Sequence, residues 1–446
     1  MSQAQAIDAA PQGAPPLDPV LRIKLSVMMF LQYAIWGAWL PILFPFLMGH
    51  RKLPLDKVSA IFAVGAAGAI VAPFVAGQIA DRWFNTERFL GISHLVGAAL
   101  VWQLSWMDDF ATLMGFSLVY SIVYSPTLPL TNALAFHHLP DRDRDFGKVR
   151  LWGTIGWIFV GIAVGQFLLR WHTPESGTTE AINAAQQAGM ANAFKFSAVL
   201  GAVMGAFCFL LPATPPKQGK QANATLEALT EVTRQPLLTL FLLAVPVSCI
   251  HQFYFVHTSA FVGAYQAKAE GFTRWVNAFF GVGGGGLMTI GQMSEMLVLA
   301  AIPFVSKKLP RKALLAVGLA AYGLRMALFA YASALPESLQ LTAIILGIAM
   351  HGLCFGCFIF VAFMVVDEET TGDVRASAQS LFNLVIVGVG IIVGSFIAGR
   401  VGAYATVEGK TDYTRLFSIP MWASVACLLA LLAAYPNRRR APAAAA

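Results

Sequence analysis

LMTIGQMSEMLVLAAIPFV, residues 287–305, is an apolar stretch that carries one carboxylate, Glu295. About 20 apolar residues cross the roughly 30 Å hydrocarbon core of a bilayer as a helix, so the stretch predicts a membrane span. An ionisable residue inside a span is costly unless it faces a partner or a water-filled cavity, and it therefore predicts a functional site. Gln292 lies three residues earlier and shares the helical face of Glu295. The alternative is a structural carboxylate that pairs with an arginine of another helix.

The whole chain, like this stretch, is rich in apolar residues and poor in charged ones. Of its 446 residues, 57% are hydrophobic and 12% are charged, which excludes a water-soluble globular protein of ordinary composition. We predict an all-α membrane protein with twelve transmembrane helices, since twelve spans would use a little over half of the chain. The predicted spans are residues 23–48, 58–80, 89–106, 111–136, 151–169, 191–211, 236–265, 279–303, 313–334, 339–366, 376–401 and 416–434.

The order of the spans predicts two six-helix bundles. The predicted parts are an N-terminal tail at 1–22, an N-terminal bundle at 23–211, a linker at 212–235, a C-terminal bundle at 236–435 and a C-terminal tail at 436–446. This arrangement is typical of alternating-access carriers. Span five carries Gly161 and Gly165, and its counterpart, span eleven, carries Gly390 and Gly394. Such pairs permit close helix approach and here indicate an internal duplication.

The basic residues predict the orientation of the chain. The net charge of +7 comes from short segments between spans and not from one long block that would bind nucleic acid. These segments are richest before span one, after the even-numbered spans and in the linker. The positive-inside rule therefore places the linker and both termini in the cytoplasm. The first twenty residues lack the features of a signal peptide, so we expect the first span to be retained.

The turn after span two contains Gly77, Asp81 and Arg82, spaced as G-x-x-x-D-R. Gly77 permits close helix approach, and the two charged residues can pair with helix ends across a cytoplasmic gate. The turn resembles the loop motif of the major facilitator superfamily, which implies the fold of that superfamily. The alternative is an ordinary charged turn.

Five further stretches resemble the nucleoside:proton symporter family of that superfamily. They are FLQYAIWG (30–37), RLWGTIGW (150–157), QMSE (292–295), LRMALFAY (324–331) and VRASAQ (374–379). The resemblance covers nearly the whole chain, from span one to span twelve, in matching order. It implies uptake of nucleosides across the cytoplasmic membrane, with the substrate bound midway between the two bundles.

The resemblance also implies a set of binding residues. Carried over position by position, they are Arg150, Thr154, Trp157, Gln252, Gln292, Glu295, His351 and Phe355. Two positions depart from the pattern of the bacterial nucleoside permeases. Phe255 stands where an asparagine is expected in span seven, and Gly356 stands where a carboxylate is expected in span ten. The second departure leaves both the coupling mechanism and the substrate open.

The residues themselves favour a neutral, polar substrate. Arg150, Thr154 and Trp157 are spaced by four and three, which places an ion, a hydroxyl and an aromatic plane on one helical face, suited to a ribose and a base. Arg150 could equally snorkel to lipid phosphates, and Trp157 could serve packing alone. The spans also offer uncharged hydrogen-bonding side chains, and we include Gln32 of span one among the binding residues.

Glu295 is the predicted proton carrier. A carboxyl group binds its proton more tightly when it is shielded from water and less tightly when a cation approaches, so a moving arginine would switch its proton affinity. Arg325 in span nine is the predicted partner, and His351 is a further candidate because histidine titrates near physiological pH. His251 and Gln252 in span seven point about 100° apart, so they cannot both face the cavity equally.

These features predict a proton-coupled nucleoside importer of the inner membrane that works by alternating access. Its partners are nucleosides, protons and the lipid bilayer. We expect no cofactor, metal, nucleic acid or enzymatic activity, since no nucleophile–base or metal-ligand cluster occurs at one depth. By analogy with carriers of this architecture, we expect a monomer. The alternatives are a proton-independent facilitator, a carrier of another neutral sugar-like solute, and a membrane receptor without turnover.

Overall fold

The structure, a computed structural model, describes residues 15–75, 85–215, 230–268, 270–370 and 375–436. The predicted gating residues Gly77, Asp81 and Arg82 lie outside the described residues. Regular structure in the described residues is helical apart from one two-stranded hairpin, β1 Thr406–Val407 and β2 Lys410–Thr411.

The N-terminal half is built from helices of very different length. Its described α-helices are α1 Pro19–Trp39, α2 Leu55–Val75, α3 Thr86–Leu104, α4 Phe110–Tyr124, α5 Thr127–His138, α6 Arg142–Trp171, α7 Thr179–Gly189 and α8 Ala191–Cys208. A 3₁₀ turn at Leu40–Ile42 and a π-helical turn at Pro45–His50 follow α1.

The C-terminal half contains two helical runs that include π-helical turns. Its described α-helices are α9 Leu237–Gln266, α10 Gly271–Phe280, α11 Gly285–Val305, α12 Arg311–Ala330, α13 Glu337–Ala349, α14 Val361–Glu369, α15 Arg375–Asn383, α16 Ile391–Ala405 and α17 Tyr413–Ala434. A short helical segment, His351–Leu353, and the π-helical turn Cys354–Phe360 lie between α13 and α14. The turn Leu384–Gly390 lies between α15 and α16.

Several helices begin where the sequence supplies a capping side chain. The carboxylate of Asp18 accepts the N–H of Leu21 (2.9 Å) at the start of α1, and that of Asp141 accepts the N–H of Arg144 (3.0 Å) at the start of α6. Such caps pair N–H groups that have no partner within the first helical turn. Pro19 suits the first position of α1 because it has no N–H to pair.

Within the described residues, ten helices are long and apolar enough to cross a membrane. This confirms a helical, multi-pass membrane protein. Predicted spans two and three fall on α2 and α3, which are not among these ten, so the number twelve stays a prediction.

The start of span eight differs from its predicted position. It was expected at residue 279, whereas α11 begins at Gly285. Gly281, Gly283 and Gly284 have φ values of +72°, +81° and +81°, a left-handed conformation that glycine adopts readily and that interrupts the helical path after α10. The sequence also gave no sign of α7 and α10, which are too short to cross a bilayer.

The two halves meet through two pairs of helices, α6 with α11 and α2 with α16. The approach is close at the end of the protein remote from the chain termini. There a Cβ at Gly161 would lie 2.7 Å from the methyl group of Thr289, and the N–H of Val282 donates to the carbonyl of Gly165 (3.1 Å). Small residues at these positions let the two backbones come together.

Candidate functional site

Glu295 lies where α11 crosses the helical run that contains His351. The hydroxyl of Ser294 donates to the carbonyl of Ala349 (2.6 Å) and accepts the N–H of Gly352 (2.9 Å). Gly352 packs so closely on the backbone of Ser294 that a Cβ there would lie 2.5 Å from its carbonyl carbon. This crossing brings the side chains of residues 295 and 351 together.

Glu295, His351 and Arg325 form a chain of ionisable groups in the C-terminal half. His351 Nε2 lies 3.5 Å from Glu295 Oε2, and the two side chains are 2% and 18% exposed. On the other side of the imidazole, Arg325 Nη1 lies 3.2 Å from His351 Nδ1. A guanidinium offers only donors, so Nδ1 accepts and the ring proton of a neutral imidazole lies on Nε2, facing the carboxylate.

Arg325 is fully buried between aromatic rings. Its guanidinium carbon lies 4.3 Å from the ring centroid of Tyr254 and 5.0 Å from that of Tyr322, positions in which the ring faces attract a cation. Among the residues that the structure describes, hydrogen-bond partners are lacking for Arg325 Nε and Nη2, the Tyr254 hydroxyl and Gln292 Oε1, all of them buried. Buried polar atoms are normally paired, so this region holds unused capacity to bind a polar group.

His251 belongs to this cluster, whereas its neighbour Gln252 does not. His251 Nδ1 lies 2.7 Å from the Tyr322 hydroxyl, and its ring centroid is 5.3 Å from that of His351. Gln252 instead donates to the hydroxyl of Ser395 in α16 (3.1 Å). The two neighbouring side chains thus have different partners, and His251 is the one that reaches the ionisable groups.

The ring of Phe355 is stacked with that of His351 and tilted against that of His251, with centroids 6.5 Å apart in both pairs. Tyr254 and Tyr322 were missed as site residues by the sequence reasoning. A signal was present, since each lies three residues from a predicted or candidate residue on its own helix, Tyr254 after His251 and Tyr322 before Arg325.

The predicted residues of α6 lie on the N-terminal side of the site. The Arg150 guanidinium carbon stacks 4.0 Å from the ring centroid of Tyr33, and the charge of Arg150 also acts on Glu295 across the interface between the halves. Thr154 is half-buried. Trp157 is buried and meets Trp36 edge-on at 5.5 Å. Thus α6 contributes a cation to the site, while Trp157 also packs against α1.

Gln32 lies in a separate polar network within the N-terminal half. Its side-chain NH₂ donates to the Thr127 hydroxyl (2.8 Å), and its carbonyl oxygen lies 2.9 Å from His94 Nε2. Because both ends of this fully buried amide have partners, the structure ties Gln32 to its own bundle and not to the cluster around Glu295.

Gly356, where the family resemblance leads one to expect a carboxylate, lies at a tight contact between helices. A Cβ there would lie 2.6 Å from Val298 Cγ1 in α11. The residue is part of the π-helical turn Cys354–Phe360, a type of turn that is frequent at functional sites. Any side chain added at this position would have to displace that methyl group.

The cysteines give no indication of a metal centre. All five are unpaired and buried, including Cys354 and Cys357. In the part of the chain that the structure describes, no group of three or more His, Cys, Asp and Glu side chains is arranged to hold a metal ion.

Comparison with known proteins identifies relatives along almost the full length. Residues 20–439 match a family model described as nucleoside H⁺ symporter. The chain is 31% identical over 420 residues to the putative nucleoside transporter YegT of Escherichia coli (strain K12), covering 92% of this chain and 91% of that protein. It is 26% identical over 424 residues to the nucleoside permease NupG of the same organism, covering 93% and 96%.

Solved structures agree with these sequence relationships. The crystal structure of the nucleoside transporter NupG superposes with a TM-score of 0.78 at 25% identity and covers 93% of this chain and 98% of that chain. The crystal structure of tetrameric PepTSo2 reaches a TM-score of 0.69 at 14% identity, with 92% and 97% coverage. The second likeness concerns the fold alone.

Proposed function

The chain belongs to the nucleoside H⁺ symporter family, and from this premise we propose that it imports nucleosides together with protons. The family and the relatives are transporters, so this multi-pass membrane protein is a transporter and not an enzyme. In our proposal it works as a monomer in the inner membrane, with both termini cytoplasmic. Two six-helix bundles, 23–211 and 236–435, would alternate access to a substrate bound between them.

We assign the proton site to Glu295, and one observation carries this assignment. Its carboxylate lies 3.5 Å from His351, which contacts the fully buried Arg325. A cation in the C-terminal half thus acts on Glu295 through an imidazole, and Arg150 acts on it from the N-terminal half. Movement of the halves would change the distance from Arg150 to the carboxylate, and proton affinity would change with it.

The unpaired polar atoms of the site support a neutral, hydrogen-bonding substrate. Gln292 Oε1 and the Tyr254 hydroxyl have no partner and could pair with ribose hydroxyl groups or base N–H groups. In our proposal, the rings of Phe355 and of Trp157 from α6 would pack against the base. Fixed polar groups within an apolar pocket are the usual basis of small-molecule specificity.

We place Arg150, Thr154 and Trp157 on the N-terminal side of the substrate and Gln292, His351 and Phe355 on the C-terminal side. Gln252 and Gln32 remain predictions from the sequence. Both hydrogen-bond within their own halves, so a substrate would have to displace an existing partner to reach them.

The proposal is tested with the purified protein in liposomes. Radiolabelled uridine and adenosine are supplied with and without an inward proton gradient, with unlabelled sugars as competitors. We expect gradient-driven accumulation in the native protein. In Glu295→Gln we expect accumulation to be lost while nucleoside exchange continues, because a neutral amide cannot release and rebind a proton.

Glu337→Gln is the matched control, since Glu337 is an exposed carboxylate that pairs with Lys268 (3.3 Å) away from the site. It should accumulate nucleosides like the native protein. Unchanged gradient-driven uptake in Glu295→Gln would contradict the proton assignment. Equilibration without accumulation by the native protein would establish the proton-independent facilitator instead, the alternative that Gly356 favours.

A further inference from the structure

A cavity of about 320 Å³ lies between α1 and α6, near the end of the protein where both helices begin. Its polar lining consists of Arg22, Ser26 and Lys148. Arg22 lies in the first turn of α1 and Lys148 in the second turn of α6. The cavity therefore has two cations and a hydroxyl at the level where the helices leave the membrane.

The rest of the lining is apolar and continues deeper into the span. Val27 and Phe30 contribute from α1, and Trp152 contributes from α6. The ring of Phe159, two turns beyond Trp152, lies 5.8 Å from that of Phe30 and is 62% exposed. From residue 148 to residue 159 the helix rises about 16 Å, roughly half of the hydrocarbon thickness. The lining of the cavity thus extends about 12 Å along α1, from Arg22 to Phe30, and the exposed ring of Phe159 lies beside its inner end.

The groove faces away from the proposed transport site. At 100° per residue, Lys148, Trp152 and Phe159 lie about 160° to 200° from Arg150 around α6. Arg150 is the residue of this helix whose charge acts on Glu295. The opposite face of a membrane-spanning helix is the one available to lipid.

We propose that this groove binds one phospholipid. Its phosphate would contact Arg22, Ser26 and Lys148, and one acyl chain would lie along the apolar wall. Basic residues next to a span attract anionic headgroups, and the long side chains of Arg and Lys extend to that level. A lipid would contact the apolar wall with its acyl chain, whereas a free phosphate would leave the wall uncovered. The inference is independent of which solute the protein transports.

Of the neighbouring carboxylates, Asp18 caps α1, whereas Asp145 also pairs with a cation of the cavity, Lys148. Asp145 pairs with Arg144 (2.7 Å) as well as with Lys148 (3.3 Å), and Asp18 caps α1 by accepting the N–H of Leu21 (2.9 Å). No carboxylate lines the cavity in the part of the chain that the structure describes. A phosphate would meet donors at the mouth of the cavity, with Asp145 behind Lys148.

The experiment measures binding of dioleoylphosphatidylglycerol to the delipidated full chain by native mass spectrometry. The test variant is Arg22→Gln combined with Lys148→Gln. One cation near a membrane surface contributes about fivefold to binding, so we expect the affinity of the tightest bound lipid to fall roughly 25-fold when two are removed. The matched control is Lys307→Gln combined with Lys308→Gln, which removes two exposed lysines between α11 and α12 and should leave that affinity unchanged.

A second readout uses brominated phosphatidylglycerol, which quenches nearby tryptophan. In otherwise native protein, Trp152→Phe should reduce the quenching by the brominated lipid. In the Arg22/Lys148 variant, the same substitution should leave the quenching unchanged. Equal lipid affinity in the native and the Arg22/Lys148 proteins would overturn the proposal, as would an equal loss in the Lys307/Lys308 control. Displacement of the lipid by millimolar inorganic phosphate would also overturn it, since the site would then be one for free anions.

Discussion

Each half of the protein buries a polar cluster around a histidine, and the two clusters differ in how completely the side chain that contacts the histidine is paired. In the N-terminal half, the amide of Gln32 contacts both Thr127 (2.8 Å) and His94 (2.9 Å). In the C-terminal half, Arg325 contacts His351 (3.2 Å) but keeps two guanidinium nitrogens without a partner. Both clusters are shielded from solvent, so burial alone does not explain the difference.

The difference separates a role in stability from a role in transport. A buried network in which every polar atom is paired favours one arrangement of its side chains. A network with unpaired atoms can change partners more easily, because an unpaired atom forms a new hydrogen bond without first breaking an existing one. We therefore expect substitutions in the N-terminal cluster to lower stability and substitutions in the C-terminal cluster to alter coupling.

Arg325→Met should show the largest effect on transport. Methionine replaces the aliphatic stem of arginine and lacks the charged guanidinium, so ionised Glu295 would lose its cation in the C-terminal half. Without that cation, a carboxyl group shielded from water favours its neutral, protonated form. We expect gradient-driven uridine accumulation to be lost while exchange continues, as in Glu295→Gln.

The thermal unfolding midpoint distinguishes this effect from misfolding. A buried cation with unpaired donors contributes little net stability, so the midpoint of Arg325→Met should stay close to that of the native protein. Arg415→Met is the control, because Arg415 is half exposed and pairs with Asp412 (3.2 Å) at the start of α17. Accumulation that persists in Arg325→Met would remove Arg325 from the coupling mechanism.

The sequence sufficed for the parts of the structure that depend on apolar length. Long apolar runs predicted a helical membrane protein, and ten spans are present among the described residues. It also singled out Glu295, His351 and Arg325, because charges within spans are rare and stand out without any knowledge of contacts. Arg325 was predicted as the partner of Glu295, and the structure places His351 between the two in one chain of contacts.

Partner choice among neighbouring polar residues could not be read from the sequence. His251 and Gln252 occupy adjacent positions of α9, and which of them faces the cluster depends on how the helix is rotated by packing. Gln32 looked like a binding residue because an amide in a span needs a partner, yet that partner can be protein or substrate. Only the positions of Thr127 and His94 show that it is protein.

Gln32→Leu should show the intermediate effect, and on stability more than on transport. The substitution removes the partner of His94 Nε2 and the amide that donates to the Thr127 hydroxyl. Leaving such a buried polar group unpaired lowers the free energy of unfolding by about 1–3 kcal/mol. We expect a lower midpoint of thermal unfolding and an unchanged KM for uridine. Gln340→Leu, which removes an exposed contact to the carbonyl of Leu335 (3.0 Å), should change neither quantity. A raised KM at native stability would instead make Gln32 a binding residue.

Tyr322→Phe should have the smallest effect, because it removes one oxygen and keeps the ring that stacks on Arg325. The lost contact is that between the hydroxyl and His251 Nδ1 (2.7 Å), and one such bond contributes about 0.5–1.5 kcal/mol. We expect uridine uptake efficiency, kcat/KM, to fall by about two- to tenfold while accumulation against a gradient persists. Tyr404→Phe, at an exposed tyrosine of α16, should leave both unchanged.

If Tyr322→Phe abolished accumulation as fully as Glu295→Gln, the hydroxyl and His251 would belong to the proton path itself. The proton path would then extend from Glu295 through both histidines. The C-terminal cluster would then differ from the N-terminal one in carrying protons, and not only in the unpaired atoms of Arg325.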